Sequence, residues 1–214
     1  EKSDRTDRGL VSSIKFYSDG RVIDGAEKYD VSEAQDNSII MYVKASSENS
    51  ALLDLTIVSS GKISFPEDSS NTGSSFSANL TNLQFNNSID THKVVDMSSM
   101  FDSIRVNSLD LSDFDTSNVT KMYRLFSGAT MLSSLDISSF NTSKVTNMSN
   151  MFNSLGATEI IGLNLLDTSN VTDMNFMFYR SNVPVLDLRS FNTSKLIDMR
   201  SMFGYSNTTK IDLS

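Results

Sequence analysis

The sequence contains no cysteine, no tryptophan, one histidine and two prolines in 214 residues. Without cysteine there is no disulfide, no thiolate nucleophile and no cysteine-ligated zinc, and one histidine cannot form a pair of histidine ligands. Apolar runs such as residues 39–43 are far shorter than the roughly 20 residues that a membrane-spanning helix needs. We therefore predict no membrane span in this chain and no metal site.

Positive charge is also scarce, with 18 Lys and Arg against 26 Asp and Glu and a net charge of −8. Nucleic-acid binding depends on basic side chains that neutralise phosphates, so this balance argues against a nucleic-acid partner. The hydrophobic fraction of 38% is enough for an ordinary folded core. The composition therefore predicts a folded protein that does not bind nucleic acid.

A repeat of about 25 residues runs through the second half of the chain. A methionine recurs every 25 or 26 residues, a phenylalanine follows it four positions later, and a polar turn such as Asp115-Thr116-Ser117-Asn118 opens each unit. One unit cannot bury its apolar residues alone, so the units must stack. The two predicted core rows are Met97, Met122, Met148, Met174 and Met199, and Phe101, Phe126, Phe152, Phe178 and Phe203.

Within a unit, two different periodicities are visible. In residues 119–126 apolar side chains stand at i, i+3, i+6 and i+7, which is typical of one face of a short helix or 3₁₀ segment. Thr116 or Ser117 is placed to cap its N-terminus. Residues 135–138 alternate with period two and predict a short strand. The fold class predicted is thus an α/β solenoid, a leucine-rich-repeat-like stack of short parallel strands and short helical turns.

The first ninety residues differ from the repeats. Strands are predicted at 11–16, 38–44, 52–58 and 62–65, and a turn at Asp19-Gly20 predicts a returning strand at 21–23. An uncapped stack exposes its core, so we expect this region to cap the repeats. The predicted domains are a flexible lead at 1–8, a small β-rich N-terminal cap at 9–76, and the repeat stack at 77–214, with a degenerate first coil, about five repeats and truncation at its C-terminal end.

The outward face of the predicted strands is the candidate binding surface. Its middle row carries Asp110, Asp136, Asp187 and Asp212, interrupted by Gly162. Such a row could be hydrogen-bonded locally, form a contact surface, or hold calcium, although it lacks the mixed ligands and tight loop of a known calcium motif. The loop at 153–159 is a further candidate for specificity. The candidate binding residues are Asp110, Asp136, Asp187, Asp212, Ile160, Val185, Arg189 and Lys210.

The repeat has a specific resemblance. The unit Thr-Ser-Asn/Lys-Val-Thr-x-Met-x-x-Met-Phe, followed by Leu-Asp-Leu/Ile-Ser-x-Phe, resembles that of BspA-type leucine-rich-repeat surface proteins of lactobacilli and mycoplasmas. Five copies cover residues 90–214, with departures at His92, Leu125 and Gly162. The resemblance implies an extracellular module on a bacterial cell surface. The partners it implies are a host extracellular-matrix protein, a mucosal protein or glycan, or another cell-surface component.

No catalytic constellation can be assembled from these residues. There is no Ser-His-Asp or Cys-His set and no glycine-rich phosphate loop, so we expect no enzyme and no cofactor. The leading hypothesis is a non-catalytic adhesion module, monomeric unless it belongs to a larger particle. The alternative is a phage or prophage fibre or decoration protein, which predicts a stable oligomer.

Overall fold

The computed structural model describes residues 10–72 and 79–214, and its regular structure is nearly all β. The prediction of an α/β solenoid with helical turns is wrong, because the described residues form no α-helix and their strands belong to separate small sheets of mixed direction. The predicted lead at 1–8 and the domain boundary at 76 lie outside the described residues. The strands are β1 (Val11–Tyr17), β2 (Glu27–Asp30), β3 (Ile39–Ala45), β4 (Leu53–Ser59), β5 (Ile63–Ser64), β6 (Asn82–Gln84), β7 (Ile89–Asp90), β8 (Leu135–Asp136), β9 (Ile160–Ile161), β10 (Val185–Asp187) and β11 (Lys210–Asp212).

The N-terminal region is a five-stranded sheet in the order β2-β3-β4-β1-β6. Strands β2, β3 and β4 are antiparallel neighbours, whereas β1 lies parallel to both β4 and β6. Residues 21–23 form no strand, so the predicted hairpin after β1 is wrong. Strand β1 buries residues on both of its faces, including Ser12 and Ser13, which agrees with its interior position between β4 and β6.

The N-terminal sheet and the repeats share one hydrophobic core. Phe16 of β1 stacks on Phe85 at 5.6 Å between ring centroids, and Phe85 contacts Phe114 edge-on at 5.1 Å. A column of rings then continues through the repeats, with successive centroids 5.4–6.2 Å apart. Such aromatic pairs add about 0.5–1.5 kcal/mol each beyond burial. The rings of this column are Phe101, Phe126, Phe152, Phe178 and Phe203.

The segment predicted as helical is a run of turns that bonds to the neighbouring repeat. From Met97 to Ser103, alternate N–H groups donate to carbonyls of the next repeat at 2.6–3.0 Å. From Met100 to Ile104, the intervening N–H groups donate to the carbonyl three residues earlier at 3.2–3.4 Å. An α-helix would direct these donors to the residue four earlier instead. Of the backbone N–H groups in this segment, about half therefore donate within the repeat and the other half donate to the next repeat.

Left-handed residues recur in these turns. The residues two and six positions after each methionine have positive φ, as in Arg124 (55°) and Gly128 (68°) of the second repeat. A left-handed residue in every fourth position interrupts an α-helix. Successive turns and helical turns both place apolar side chains three or four residues apart, which is why the sequence pattern did not separate them.

Neighbouring repeats are also joined along a row of buried threonines. Thr116 was one of two predicted helix caps, with Ser117 as the other, but its hydroxyl donates to the carbonyl of Asn141 in the next repeat at 3.0 Å and accepts the N–H of Asn141 at 2.8 Å. Thr91 and Thr168 make the same paired bonds one repeat before and two repeats after. Because each buried hydroxyl both donates and accepts a bond, these threonines link the repeats without leaving an unpaired polar group in the core.

The predicted core rows are buried in all repeats except the last. The methionines from Met97 to Met174 are 0% exposed, and the phenylalanines from Phe101 to Phe178 are at most 2% exposed. Met199 was predicted as core but is 55% exposed. No repeat within the described residues follows it, so one side of the last turn has nothing packed against it.

Candidate functional site

The outward strand face is here called the strand wall; it consists of β6, residues 108–112, β8, β9, β10 and β11. The structure brings several predicted site residues together at β10 and β11, where Val185 pairs with Lys210 and Asp187 with Asp212. Arg189 lies beside them, with Nη2 2.7 Å from Asp187 Oδ2 and Nε 3.9 Å from Asp212 Oδ2. Val185 is 55% exposed next to this charged group. These five residues form one mixed patch, whereas Asp110 and Asp136 lie farther along the wall.

Ile160 is not on the outward face. It pairs with the core residue Leu135 and is 8% exposed, whereas Ile161 lies opposite Asp136 and is 43% exposed. A shift of one residue moves each side chain of a strand to the other face. Gly162 accommodates the shift with φ +84°, since a Cβ there would lie 2.5 Å from Ser138 Cα. The outward position in this repeat is therefore occupied by Ile161.

The aspartates of the strand wall accept hydrogen bonds from the residue two positions later in the same turn. Asp110 Oδ1 accepts the N–H of Ser112 at 3.0 Å, and Asp136 Oδ1 accepts both the N–H of Ser138 at 2.9 Å and its hydroxyl at 2.6 Å. The Ser112 backbone bond lowers the pKa of Asp110, and the Ser138 hydroxyl lowers the pKa of Asp136. These carboxylates are held as turn acceptors, in the manner of Asx turns.

The same holds at the C-terminal end of the wall. Arg189 donates two side-chain bonds to Asp187 and holds the pKa of that carboxyl at about 2. The backbone N–H of Ser214 lowers the pKa of Asp212. In residues 10–72 and 79–214, no three acidic, histidine or cysteine side chains are grouped so that they could hold a metal ion.

These depressed values give a pH prediction. A carboxyl whose folded pKa lies below its unfolded value stabilises the fold above the unfolded pKa, and that stability is lost as pH falls towards the folded pKa. For Asp187 this window runs from 3.8 down to about 2. We expect the urea midpoint to drop between pH 4 and pH 2, and an Asp187→Asn variant to lose less over that window. An unchanged midpoint at pH 2 would contradict this role.

A groove opens on the strand wall between β6 and residues 108–112. Its volume is about 580 Å³, within the range of binding pockets. Its polar lining includes Asn82, Gln84 and Ser108, and its two charged residues, Asp110 and Asp113, are both acidic. Of the residues that line this strand-wall groove, only Asp110 was predicted as a binding residue. A repeat pattern does not show where two neighbouring units are separated by a gap.

The groove coincides with an interruption in the hydrogen bonding of the wall. Strand β6 pairs with β1 and is the edge of its sheet, and β8 pairs with β9. Between them, the N–H groups of Leu109, Asp110 and Leu111 make no hydrogen bond to any part of the chain that the structure describes. Unpaired strand edges are sites at which another chain can add.

An exposed aromatic patch on the opposite, turn-bearing wall was missed entirely. Tyr179 contacts Phe176 at 5.2 Å and Tyr205 at 5.5 Å, both edge-on, and the guanidinium of Arg180 lies 5.3 and 5.8 Å from the two tyrosine rings. Gly204 makes room for the patch, because a Cβ there would lie 2.8 Å from the Tyr179 ring. The sequence does mark this patch, because the earlier repeats have mostly small polar residues at the same positions.

Comparison with known proteins identifies the repeats. Residues 70–162 and 159–214 match the family model described as "Mycoplasma protein of unknown function, DUF285". The chain belongs to the DUF285 family. Together the two DUF285 matches span residues 70–214, which include all the repeats, and β1 to β5 precede them.

The other comparisons add no relative. No curated protein and no solved structure matches this DUF285 chain. The described residues contain no helix long and apolar enough to cross a membrane.

Proposed function

We propose that this DUF285 protein is a non-catalytic binding module on a bacterial cell surface, and that it binds host or neighbouring-cell macromolecules through its strand wall. The observation that carries the proposal is the strand-wall groove, an open polar cleft of about 580 Å³ with unpaired backbone along its side. The resemblance of the repeat to BspA-type surface proteins and the match to a mycoplasma-associated family support the cell-surface part of the proposal.

The arrangement of the wall supports binding rather than chemistry. The lone histidine, His92, is at the surface with Nδ1 2.6 Å from Asp90 Oδ1, and the aspartates already accept bonds from their own turns. Side chains held in this way lose little conformational entropy when a partner binds. A rigid scaffold that holds many polar groups in fixed positions is suited to a large partner, because many weak contacts can then add up to a measurable affinity.

The test is binding of the 214-residue chain to an array of matrix proteins, mucins and glycans. Because the chain lacks cysteine, Gln84→Cys can be labelled at one site with a bulky maleimide that blocks the groove. The matched control is Thr193→Cys with the same label, at an exposed turn outside the groove. We expect saturable binding that the groove label abolishes and the control label leaves intact.

Three results would contradict the proposal. Absence of binding to the whole array would remove the adhesion role. A stable oligomer in light scattering, together with no array binding, would favour the fibre or decoration alternative, because an adhesion module of this kind is expected to be a monomer. Binding that only the Thr193 label abolishes would move the site away from the strand wall.

A further inference from the structure

We propose that the strand-wall groove binds an extended, basic peptide segment of a partner protein, which adds as a strand between β6 and residues 108–112. This inference rests on the proposed function and names the partner for the same site. It starts from the interruption of the wall, where the edge strand β6 faces a segment in which the N–H group of the outward residue Asp110 is unpaired within the described residues. An added strand would satisfy backbone groups on both of its sides, as in β-augmentation.

Backbone direction supports two-sided pairing. In the paired part of the wall, inward residues such as Leu135 and Ile137 donate their N–H groups to the following strand. Successive residues of a strand point in opposite directions, so outward residues face the preceding strand. By this rule the inward Leu83 of β6 and the outward Asp110 of the next segment face the groove from opposite sides.

The lining determines the side chains of the peptide. On the outward side, both charged groups of the groove, Asp110 and Asp113, are acidic, and the whole chain carries a net charge of −8. Complementary lysine or arginine would be attracted and acidic peptides repelled. On the inward side, the peptide would face the buried residues Leu83, Phe85 and Leu109. The expected ligand therefore alternates basic and apolar residues with the period of two of a strand.

A peptide fits these features better than a glycan does. The backbone on the two sides of the groove belongs to extended segments, and another extended main chain presents the complementary series of donors and acceptors. The two sides of the groove are short, with three residues in β6 and five in the facing segment 108–112, so a short extended peptide can span both. Glycans and a second copy of this chain remain as outcomes that the experiment separates.

The probe is a short capped peptide in which lysine and valine alternate, added to the isotope-labelled full chain. In the free protein, the amide hydrogen of Asp110 should exchange rapidly, whereas those of Leu135 and Ile137, which are bonded to the next strand, should exchange slowly. On binding, exchange at Leu83 and Asp110 should slow. A peptide with N-methyl groups on alternate residues, or with glutamate for lysine, should bind much more weakly.

The charge component is tested by the double variant Asp110→Asn and Asp113→Asn, which retains the side-chain oxygen that accepts the Ser112 N–H. We expect about tenfold weaker binding of the lysine peptide. Asp167→Asn is the control, because Asp167 accepts the same kind of turn bond from Ser169 outside the groove. Equal loss in both variants would overturn the charge argument.

Other results overturn strand addition itself. These are no binding of the lysine peptide, binding that leaves exchange at Leu83 and Asp110 unchanged, and equal binding of the N-methylated peptide. Concentration-dependent dimerisation that protects the same amides would assign the groove to a second copy. Each of these can occur while the array still shows binding of a glycan or matrix protein, so failure of strand addition is distinguishable from failure of the proposed function.

Discussion

Replacing Met148 by alanine is expected to lower the free energy of unfolding by about 3 kcal/mol, whereas the same change at Met199 should cost less than about 1 kcal/mol. Both residues hold the same position of the repeat, but Met148 is 0% exposed between two neighbouring repeats and Met199 is 55% exposed in the last one. The cost of removing a buried side chain includes both its transfer from water and the cavity that it leaves. Equilibrium urea denaturation of the two variants beside the wild type would measure the difference.

The pair is a matched control for repeat position, because the side chain and the substitution are identical. Similar losses in the two variants would show that the last turn is as well packed in solution as the inner ones. That result would contradict the exposure described above and the dependence of each repeat on the following one. A broad or two-step transition in Met148→Ala alone would instead indicate that the stack unfolds in parts.

The second large effect is expected for Gly156→Ala, which should destabilise the chain by about 3 kcal/mol. A Cβ on Gly156 would lie 2.1 Å from the carbonyl oxygen of Thr130 and 2.5 Å from its carbon. Both are backbone atoms of the neighbouring repeat, so the two repeats must move apart to relieve the contact. The bond from the Gly156 N–H to Ala129 O, 3.1 Å long, would be strained by the same movement.

Gly61→Ala is the control for this change. Nothing lies within 4 Å of a Cβ at Gly61, and its φ is not positive. Replacing such a glycine restricts the unfolded chain and should be neutral or stabilise by about 0.4–1 kcal/mol. Thermal unfolding followed by circular dichroism would compare the two variants. Equal melting temperatures would mean that the backbone contact at Gly156 does not hold in solution.

The helix error has a general physical cause. The apolar spacing in residues 119–126 satisfies both a helix and a series of tight turns, because both return the chain to the same face after three or four residues. What separates them is the destination of the backbone N–H groups, half of which donate to the next repeat. This bonding between repeats requires residues with positive φ, which include Phe176 and Arg124. Neither residue type indicates a positive φ in a sequence.

The candidate site also has residues that the sequence predicted correctly and residues that only the structure could place. Asp187, Arg189 and Asp212 were chosen from their place in the repeat, and the structure groups them with ion-pair distances of 2.7 and 3.9 Å. Ile160 was placed on the wrong face because the third unit shifts by one residue at Gly162, which no alternation pattern reveals. The aromatic patch could have been found as a departure from the repeat, since Phe176 and Tyr205 stand where the other repeats have mostly small residues.

The sequence by itself determined the period of the repeats, the residues available for the core and the absence of cysteine and of paired histidines, because these are properties of composition and spacing along one dimension. The predicted β-strands at 38–44 and 52–58 also correspond to β3 and β4, since short apolar segments rich in β-branched residues carry their own strand signal. Only the tertiary structure decided that the turns bond between repeats, that Ile160 faces inward, and that the wall opens between β6 and residues 108–112. These features depend on which backbone groups meet across 25 or more residues, and local periodicity does not encode that pairing.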